Sequence, residues 1–304
     1  MMEKYLPEGR LDKGVLTEEK LNRALETGEI LEGRVVRCTE AHDLIIEGKG
    51  FVGVIPRSCA SMGIEEGRTR EIAILSRVGK QVCFCVEGRS DGVYMLSRKK
   101  AQERALEHYM NEVPVGQIIE CRVTHLENFG AFVDIGCGVP SMIGIENISV
   151  SRITHPCERF YTKQDIYAVV AAKDRAQGRI LLSHKELLGT WEQNSAGIRV
   201  GETLGGVVRG VEDYGLFIEL SPNLSGLAEK KEGIECGSCV SVFVKSVNPE
   251  KMKIKLIVID SLDCTAKGFL SRQDYFLTEG VIKSWRYSPL SCASKKVETV
   301  FRER

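Results

Sequence analysis

Apolar and polar residues alternate along most of this chain in short runs broken by glycine. In ENFGAFVDIG (127–136), Ala131, Val133 and Ile135 fall on one side of a strand, and Phe132 and Asp134 on the other. The first set predicts a core face. The second places a large ring beside a carboxylate, which suits neither a core nor a plain solvated face, although single apolar residues do occur on surfaces. The stretch has counterparts. GEILEGRVVRCTEAHDLIIEG starts at Gly28, GQIIECRVTHLENFGAFVDIG at Gly116 and GETLGGVVRGVEDYGLFIELS at Gly201, at offsets of 88 (116 − 28) and 85 (201 − 116). DGVYMLSRK (91–99), QGRILLSHK (177–185) and EKMKIKLIV (250–258) extend the match. Repeats of this length are tandem domains, each able to close a small core.

Each repeat holds about five short strands punctuated by glycine, which predicts a small barrel. Helical patterns lie between them. SRKKAQERALEHYM (97–110) joins the first repeat to the second, and HKELLGTWEQN (184–194) leaves the second, with Trp191 expected against a barrel. A further helix is predicted to begin near Thr17, with Glu18 and Glu19 in its first turn. The chain therefore divides into an N-terminal helical segment (1–27), a degenerate barrel (28–100), a helical linker (101–114), a complete barrel (115–189), a linker (190–199), a shortened barrel (200–260) and an extension (261–304).

The repeats are unequal. The aromatic–Gly–x–Phe pattern occurs as Phe129–Phe132 in the second and Tyr214–Phe217 in the third. In the third, Leu216, Ile218 and Leu220 are predicted inward, and Phe217 and Glu219 outward. The first has Ala41, His42, Asp43 and Leu44 there and lacks both rings. The third lacks the loop that holds His155 in the second.

Composition narrows the function classes. With 42 basic and 42 acidic residues the net charge is zero, so charge alone does not announce nucleic acid. No apolar run approaches the length of a membrane span, and MMEKYLPEGR is not a signal peptide, so a soluble cytoplasmic protein without a membrane partner is expected. In that setting NIS (147–149) and NLS (223–225) are not glycosylation sites, and the 11 cysteines are read mainly as buried thiols. Cys236 and Cys239 have C-x-x-C spacing, which Cys264 and Cys292 would complete as a four-thiolate zinc site; a lone pair is a weak signal, and no metal or cofactor is expected. GKGFVG (48–53) matches a dinucleotide fingerprint but runs on as strand into Val54, Ile55 and Pro56 instead of opening a helix. No phosphate loop, H-E-x-x-H or nucleophile elbow is present, so no enzyme is expected.

NFGAFVDIG, IGIENIS, HPCERF and KDRAQGRILLSHK in the second repeat, with DYGLFIEL and SGLAEK in the third, resemble tandem S1 (S-one) domains, the RNA-binding module named after small-subunit ribosomal protein one. The resemblance covers roughly two thirds of the chain. It implies a mainly β chain of tandem five-stranded OB-type barrels joined by short helical linkers. It also implies an RNA face of two aromatics, a polar residue on the third strand, and an acidic and a basic residue near the last strand. Carried over, these are Phe129, Phe132, Asn147, Asp174 and Arg179 in the second repeat, with His155 either touching RNA or capping its own loop. In the third they are Tyr214, Phe217 and Lys253, with Glu229 in the polar position, where it would repel phosphate. Asn147 stands where many members have histidine.

The residues support the same reading. An exposed ring offers a stacking platform to any base. The second repeat carries eight basic and eight acidic residues over 115–189, so stacking must outweigh charge there. The competing reading for Phe132 is a ring covered by the helical linker. The implied function is single-stranded mRNA binding in translation, with the small ribosomal subunit as partner and the first repeat as a docking or structural unit. A free RNA regulator or decay accessory, and a protein-interaction module with vestigial RNA faces, remain alternatives. The extension counts eight basic and five acidic residues. Its GVIKSWRY and KVETVF segments predict a hairpin packed on the shortened barrel, or else an RNA extension using Trp285, Arg286 and Tyr287.

Overall fold

The computed structural model describes residues 5–11, 14–263 and 274–303. Three closed barrels follow one another along it. The first comprises β1 (Leu31–Cys38), β2 (Leu44–Gly48), β3 (Phe51–Ile55), β4 (Gln81–Ser90) and β5 (Val93–Ser97). The second comprises β6 (Ile118–Glu127), β7 (Gly130–Asp134), β8 (Pro140–Gly144), β9 (Asp165–Asp174) and β10 (Arg179–Ser183). The third comprises β11 (Thr203–Glu212), β12 (Gly215–Ser221), β13 (Leu224–Ala228), β14 (Cys239–Asn248) and β15 (Lys253–Leu262). Strand order around each barrel is first, second, third, fifth, fourth and back to the first, with the third and fifth parallel. This is the OB-type closure, which removes sheet edges. GKGFVG forms the end of β2, a turn and the start of β3, as its sequence context predicts.

The alternation forms the cores. Val35, Leu44, Ile46, Ile55, Val82, Phe84 and Leu96 fill the first barrel, and Val208, Leu216, Ile218, Val240, Val242, Val244 and Ile254 the third. Ala131, Val133 and Ile135 are fully buried in the second. Burying the valine, leucine, isoleucine and phenylalanine side chains among these contributes about 1.5–3 kcal/mol each.

Among the described residues four helices accompany the barrels: α1 (Glu18–Thr27), α2 (Ile72–Leu75), α3 (Arg98–Asn111) and α4 (Trp191–Ser195). Thr17 caps α1 by accepting from the Lys20 amide at 3.3 Å, and Ser97 caps α3 from Lys100 at 3.1 Å. Leu21 and Ala24 of α1 join the first core. The helix expected over 184–194 is split. Gly189, at φ 81, separates a 3-10 turn (Lys185–Leu188) from α4, and Trp191 packs into the third core. Among the described residues no helix is long and apolar enough to cross a membrane.

By contacts the chain forms two compact units. One is Met1–Val113 with Glu120–Arg122 and Asp134–Ser141; the other is Pro114–Ile119, Val123–Val133 and Met142–Arg304. In the first unit Arg98, at the start of α3, is almost completely buried. Its Nε and Nη2 donate to the two Glu8 oxygens at 2.6 and 3.0 Å. Asp134, predicted outward beside Phe132, is also buried there. Its carboxylate accepts from the amides of Glu8 and Gly136 at 2.8 Å each and of Gly138 at 3.0 Å. Burial, and next the Glu8 carboxylate, pushes Asp134 up to about 7, against the pull of these hydrogen bonds.

In the second unit the extension forms the predicted hairpin, β16 (Ser284–Arg286) antiparallel to β17 (Glu298–Val300). Trp285 and Tyr287 are buried in the third core, and Phe301 packs with Val115, Ile118, Val169 and Leu187. The Tyr287 hydroxyl donates to the Asn223 carbonyl. The alternative role for Trp285 and Tyr287 as exposed RNA contacts is overturned: the rings are spent on packing.

The glycine of the aromatic–Gly–x–Phe pattern has a steric reason. A Cβ on Gly130 would collide with the Ile143 carbonyl, and one on Gly215 with the Ala228 carbonyl. In both barrels a carbonyl of the neighbouring third strand packs against this glycine. Gly130→Ala is therefore expected to destabilise by about 1–3 kcal/mol, the usual cost of overpacking. Gly88→Ala, with open space around it, should stay within about 0.5 kcal/mol of wild type. Denaturant unfolding of both variants checks the contrast.

Candidate nucleic-acid interface

The two aromatic pairs take the same form. Phe129 sits in the β6–β7 turn and is 56% exposed; half-buried Phe132 projects from β7. Their centroids are 5.9 Å apart at 87°. Tyr214 and Phe217 are 69% and 37% exposed, with centroids 6.1 Å apart at 90°. In each pair one ring meets the other edge to face, a favourable quadrupole arrangement that holds the rings without a covering layer. By strand register the first-barrel counterpart of Phe132 and Phe217 is Ile45, which lies opposite Arg37 as Phe217 lies opposite Gly210, and it is buried. His42 there bonds Glu71 at 3.0 Å, and the Asp43 carboxylate accepts from the Arg57 amide at 2.8 Å. The ring site is replaced by a local polar network.

Arg179 and Asp174 are cross-strand partners at the β9–β10 turn, and Arg179 is exposed. Asp174 accepts from the Gln177 amide at 3.0 Å, which shapes the turn. Asn147 is half-buried, with Oδ1 accepting from Lys185 Nζ at 2.8 Å. His155 caps the 3-10 turn Pro156–Glu158, its Nδ1 accepting from the Cys157 amide at 3.0 Å. That is the loop-capping reading of this histidine. In the third barrel Lys253 pairs with Asn248, so the acidic partner of the second barrel becomes an amide. Glu229 is exposed.

Two further side chains belong to these faces. His125 lies 6.4 Å from Phe132, the rings tilted by 31°, and its Nε2 is 2.6 Å from Glu127 Oε1. It escaped the repeat comparison because its counterpart in the third repeat is Gly210, the cross-strand partner of Phe217. Lys255 is the second. Phe217 pairs with Leu227, and Leu227 with Lys255, so ring, leucine and ammonium form one row across three strands. Its signal was the alternation of KIKLIV, which exposes Lys253 and Lys255 on one face. In the second barrel the matching row places Met142 beside exposed Leu181.

Glu219 departs from its expected place. It follows Phe217 by two residues on the outward side of β12 yet is fully buried. Arg159 from the β8–β9 loop and Arg209 from β11 both donate to its carboxylate, and Arg209 also pairs with Glu158. Burial pushes the Glu219 carboxyl up and the Arg159 guanidinium down, each opposed by its partner's charge. Leu220, predicted inward, is half-buried at the barrel margin. Cys236 is exposed and Cys239 buried, and Cys264 lies outside the described residues. Among the described residues no cluster of three or more His, Cys, Asp or Glu side chains is disposed to hold a metal ion.

Comparison with known proteins agrees with this architecture. Residues 112–185 match the S1 RNA binding domain family. Small ribosomal subunit protein bS1 of Leuconostoc lactis is 28% identical over 251 residues, covering 77% of this chain and 57% of that protein. The bS1 homolog of Bacillus subtilis (strain 168) is 28% identical over 256 residues, covering 78% and 65%. The bS1 protein of Rhizobium meliloti (strain 1021) is 25% identical over 282 residues, covering 84% and 49%. The chain thus spans about half to two thirds of the length of these curated relatives. A solved multidomain protein with nucleic acid binding domains from Streptococcus pneumoniae superposes only loosely, with a TM-score of 0.25 at 15% identity over 79% of this chain and 75% of that one. Residues 112–185 thus match the S1 RNA binding domain family, and the chain of tandem five-stranded barrels that holds them resembles bacterial small ribosomal subunit protein bS1.

Proposed function

We propose that this chain binds single-stranded RNA in translation, holding messenger RNA at the small ribosomal subunit in the cytoplasm. The observation that carries the reading is the pair of exposed, edge-to-face ring sites at matching positions of the second and third barrels. Exposed rings at two equivalent sites are costly to leave in water and are suited to stacking on bases. Phe129 and Phe132 are the main platform, with His125 beside them. Arg179 meets a phosphate or stacks, Asp174 shapes the turn that presents it, and Asn147 and His155 line the loop side. Tyr214 and Phe217 form the second platform, with Lys253 and Lys255 on its basic side. The first barrel, without rings, serves as a structural or docking unit. The ribosomal setting rests on the names of the relatives.

Stacking and charge separate experimentally. Phe132→Ala, with the fold checked by circular dichroism, should cost about 1–3 kcal/mol in binding a single-stranded oligonucleotide. Its salt dependence should stay as in wild type, because no phosphate contact is lost. An unchanged affinity would make Phe132 a packing residue.

Arg179→Ala should instead reduce the slope of log affinity against log salt by about 0.7 if the side chain neutralises one phosphate of the strand. Equilibrium titrations at several salt concentrations read this directly. Duplex RNA should bind poorly to wild type, since its bases are stacked on each other. Equally tight binding of duplex and single strand would overturn the assignment of both ring sites.

A further inference from the structure

Glu158, Arg209, Glu219 and Arg159 form an alternating chain of charges that joins the second barrel to the third. Glu219 takes one guanidinium from each barrel, and Arg209 one carboxylate from each. Glu158 is itself shaped by its loop: its Oε1 accepts from the Thr154 amide and hydroxyl at 2.7 Å each and from the His155 amide at 3.1 Å. Such a buried network adds little net stability, because desolvation offsets the attraction, but it tolerates few geometries. It acts as a register pin.

Further contacts hold the same pair of barrels. Buried Asn223, in the β12–β13 turn, accepts from the Val150 amide at 2.9 Å and donates to the carbonyls of Lys185 at 2.8 Å and Gly189 at 2.9 Å. Ser151 and Ser225 share a hydroxyl hydrogen bond of 2.9 Å. The extension then crosses both barrels. The Ile282 amide donates to the Gly116 carbonyl at 2.8 Å, while Trp285 and Tyr287 enter the third core.

The position of the pin is what matters for binding. Phe217 and Glu219 lie on the same side of β12. Arg159, at the foot of the β8–β9 loop, reaches the Glu219 carboxylate, so that foot stands next to the Tyr214–Phe217 platform. The same loop leaves β8 just after Met142, carries Asn147 and His155, and ends in the pin at Glu158 and Arg159. It therefore runs from the face of the second barrel to the ring site of the third.

We infer that the second and third barrels are one rigid platform, pinned by the β8–β9 loop, that takes a single RNA strand continuously across both ring pairs. This rests on the RNA-binding reading of the rings. The third barrel lacks a long loop of its own, and the second barrel's loop borders its ring site in its place. A strand held at one ring pair is presented to the other at a fixed distance, with no linker freedom to lose on binding.

The test uses the full chain with uridine oligonucleotides of roughly 6 and roughly 20 nucleotides, lengths chosen around the span of one OB-type barrel. Fluorescence anisotropy should show the longer strand binding about 100-fold more tightly or better. Phe132→Ala and Phe217→Ala should each reduce that gain, and the double variant should abolish it. Spin labels on unnatural side chains replacing exposed Tyr161 and Lys245 should give one narrow distance distribution without RNA, unchanged when the longer strand binds. Replacing Glu219 and Arg209 together by glutamine should broaden that distribution and lower the length gain. A broad distribution in the otherwise wild-type chain, or a longer strand bound no more tightly than the shorter, overturns the inference. Absence of binding to either strand overturns the RNA reading itself, and the distance measurement still decides whether the pair is rigid.

Discussion

A closed five-stranded barrel accepts side chains on one side of each strand only. Everything that alternates inward is spent on the core, and everything that alternates outward must meet water, another element or a ligand. That constraint gives meaning to each outward residue that is not simply polar and exposed. In this chain there are two kinds. Phe132, with Phe129, and Phe217, with Tyr214, are outward rings that no element covers completely. Asp134 and Glu219 are outward carboxylates that are buried. The rings mark where something is expected to arrive, and the carboxylates mark where something in the chain already sits.

The two carboxylates are satisfied by different chemistry. Asp134 accepts three backbone amides, so it organises a turn and needs no cation of its own. Glu219 accepts from two guanidiniums, so removing either one would leave charge in a dry place. Geometry that must satisfy several directional contacts at once admits few alternatives. The same principle holds Arg98, whose guanidinium grips both oxygens of Glu8 where α3 begins. Buried charge in this protein fixes positions; the apolar cores supply the stability.

The periodic part of the structure was legible in the sequence because it is local. Alternation placed Ala131, Val133 and Ile135 inward, Thr17 announced α1, and the repeat offsets aligned Phe129 with Tyr214 and Phe132 with Phe217. The hairpin of the extension was legible as two short apolar segments. The buried carboxylates were not, because their partners are remote: Arg159 precedes Glu219 by 60 residues, and Glu8 lies 126 residues before Asp134. Periodicity tells which way a side chain points but not what lies over it. Trp285 and Tyr287 posed the same problem, since an aromatic pair in a basic tail reads equally as anchor or as contact. His125 was hidden for another reason. A comparison of repeats highlights what recurs, and its counterpart is a glycine.

The neutral charge of the second barrel bears on how such a face would work. A basic groove attracts any nucleic acid, single or double, and loses its hold as salt rises. Rings set edge to face at the mouth of a turn act only on bases free to leave their own stack, and their contribution is largely indifferent to salt. In the third barrel the balance shifts. Lys255 stands in one row with Phe217, and Lys253 shares its face, while the second barrel has Leu181 in the corresponding row. The glycine at each site is required by the third-strand carbonyl packed against it, so the rings occupy equivalent places in both barrels. On the proposed RNA-binding role, selectivity for unpaired bases would come with the barrel closure, and the lysines and arginines at its margin would adjust only how firmly the strand is held.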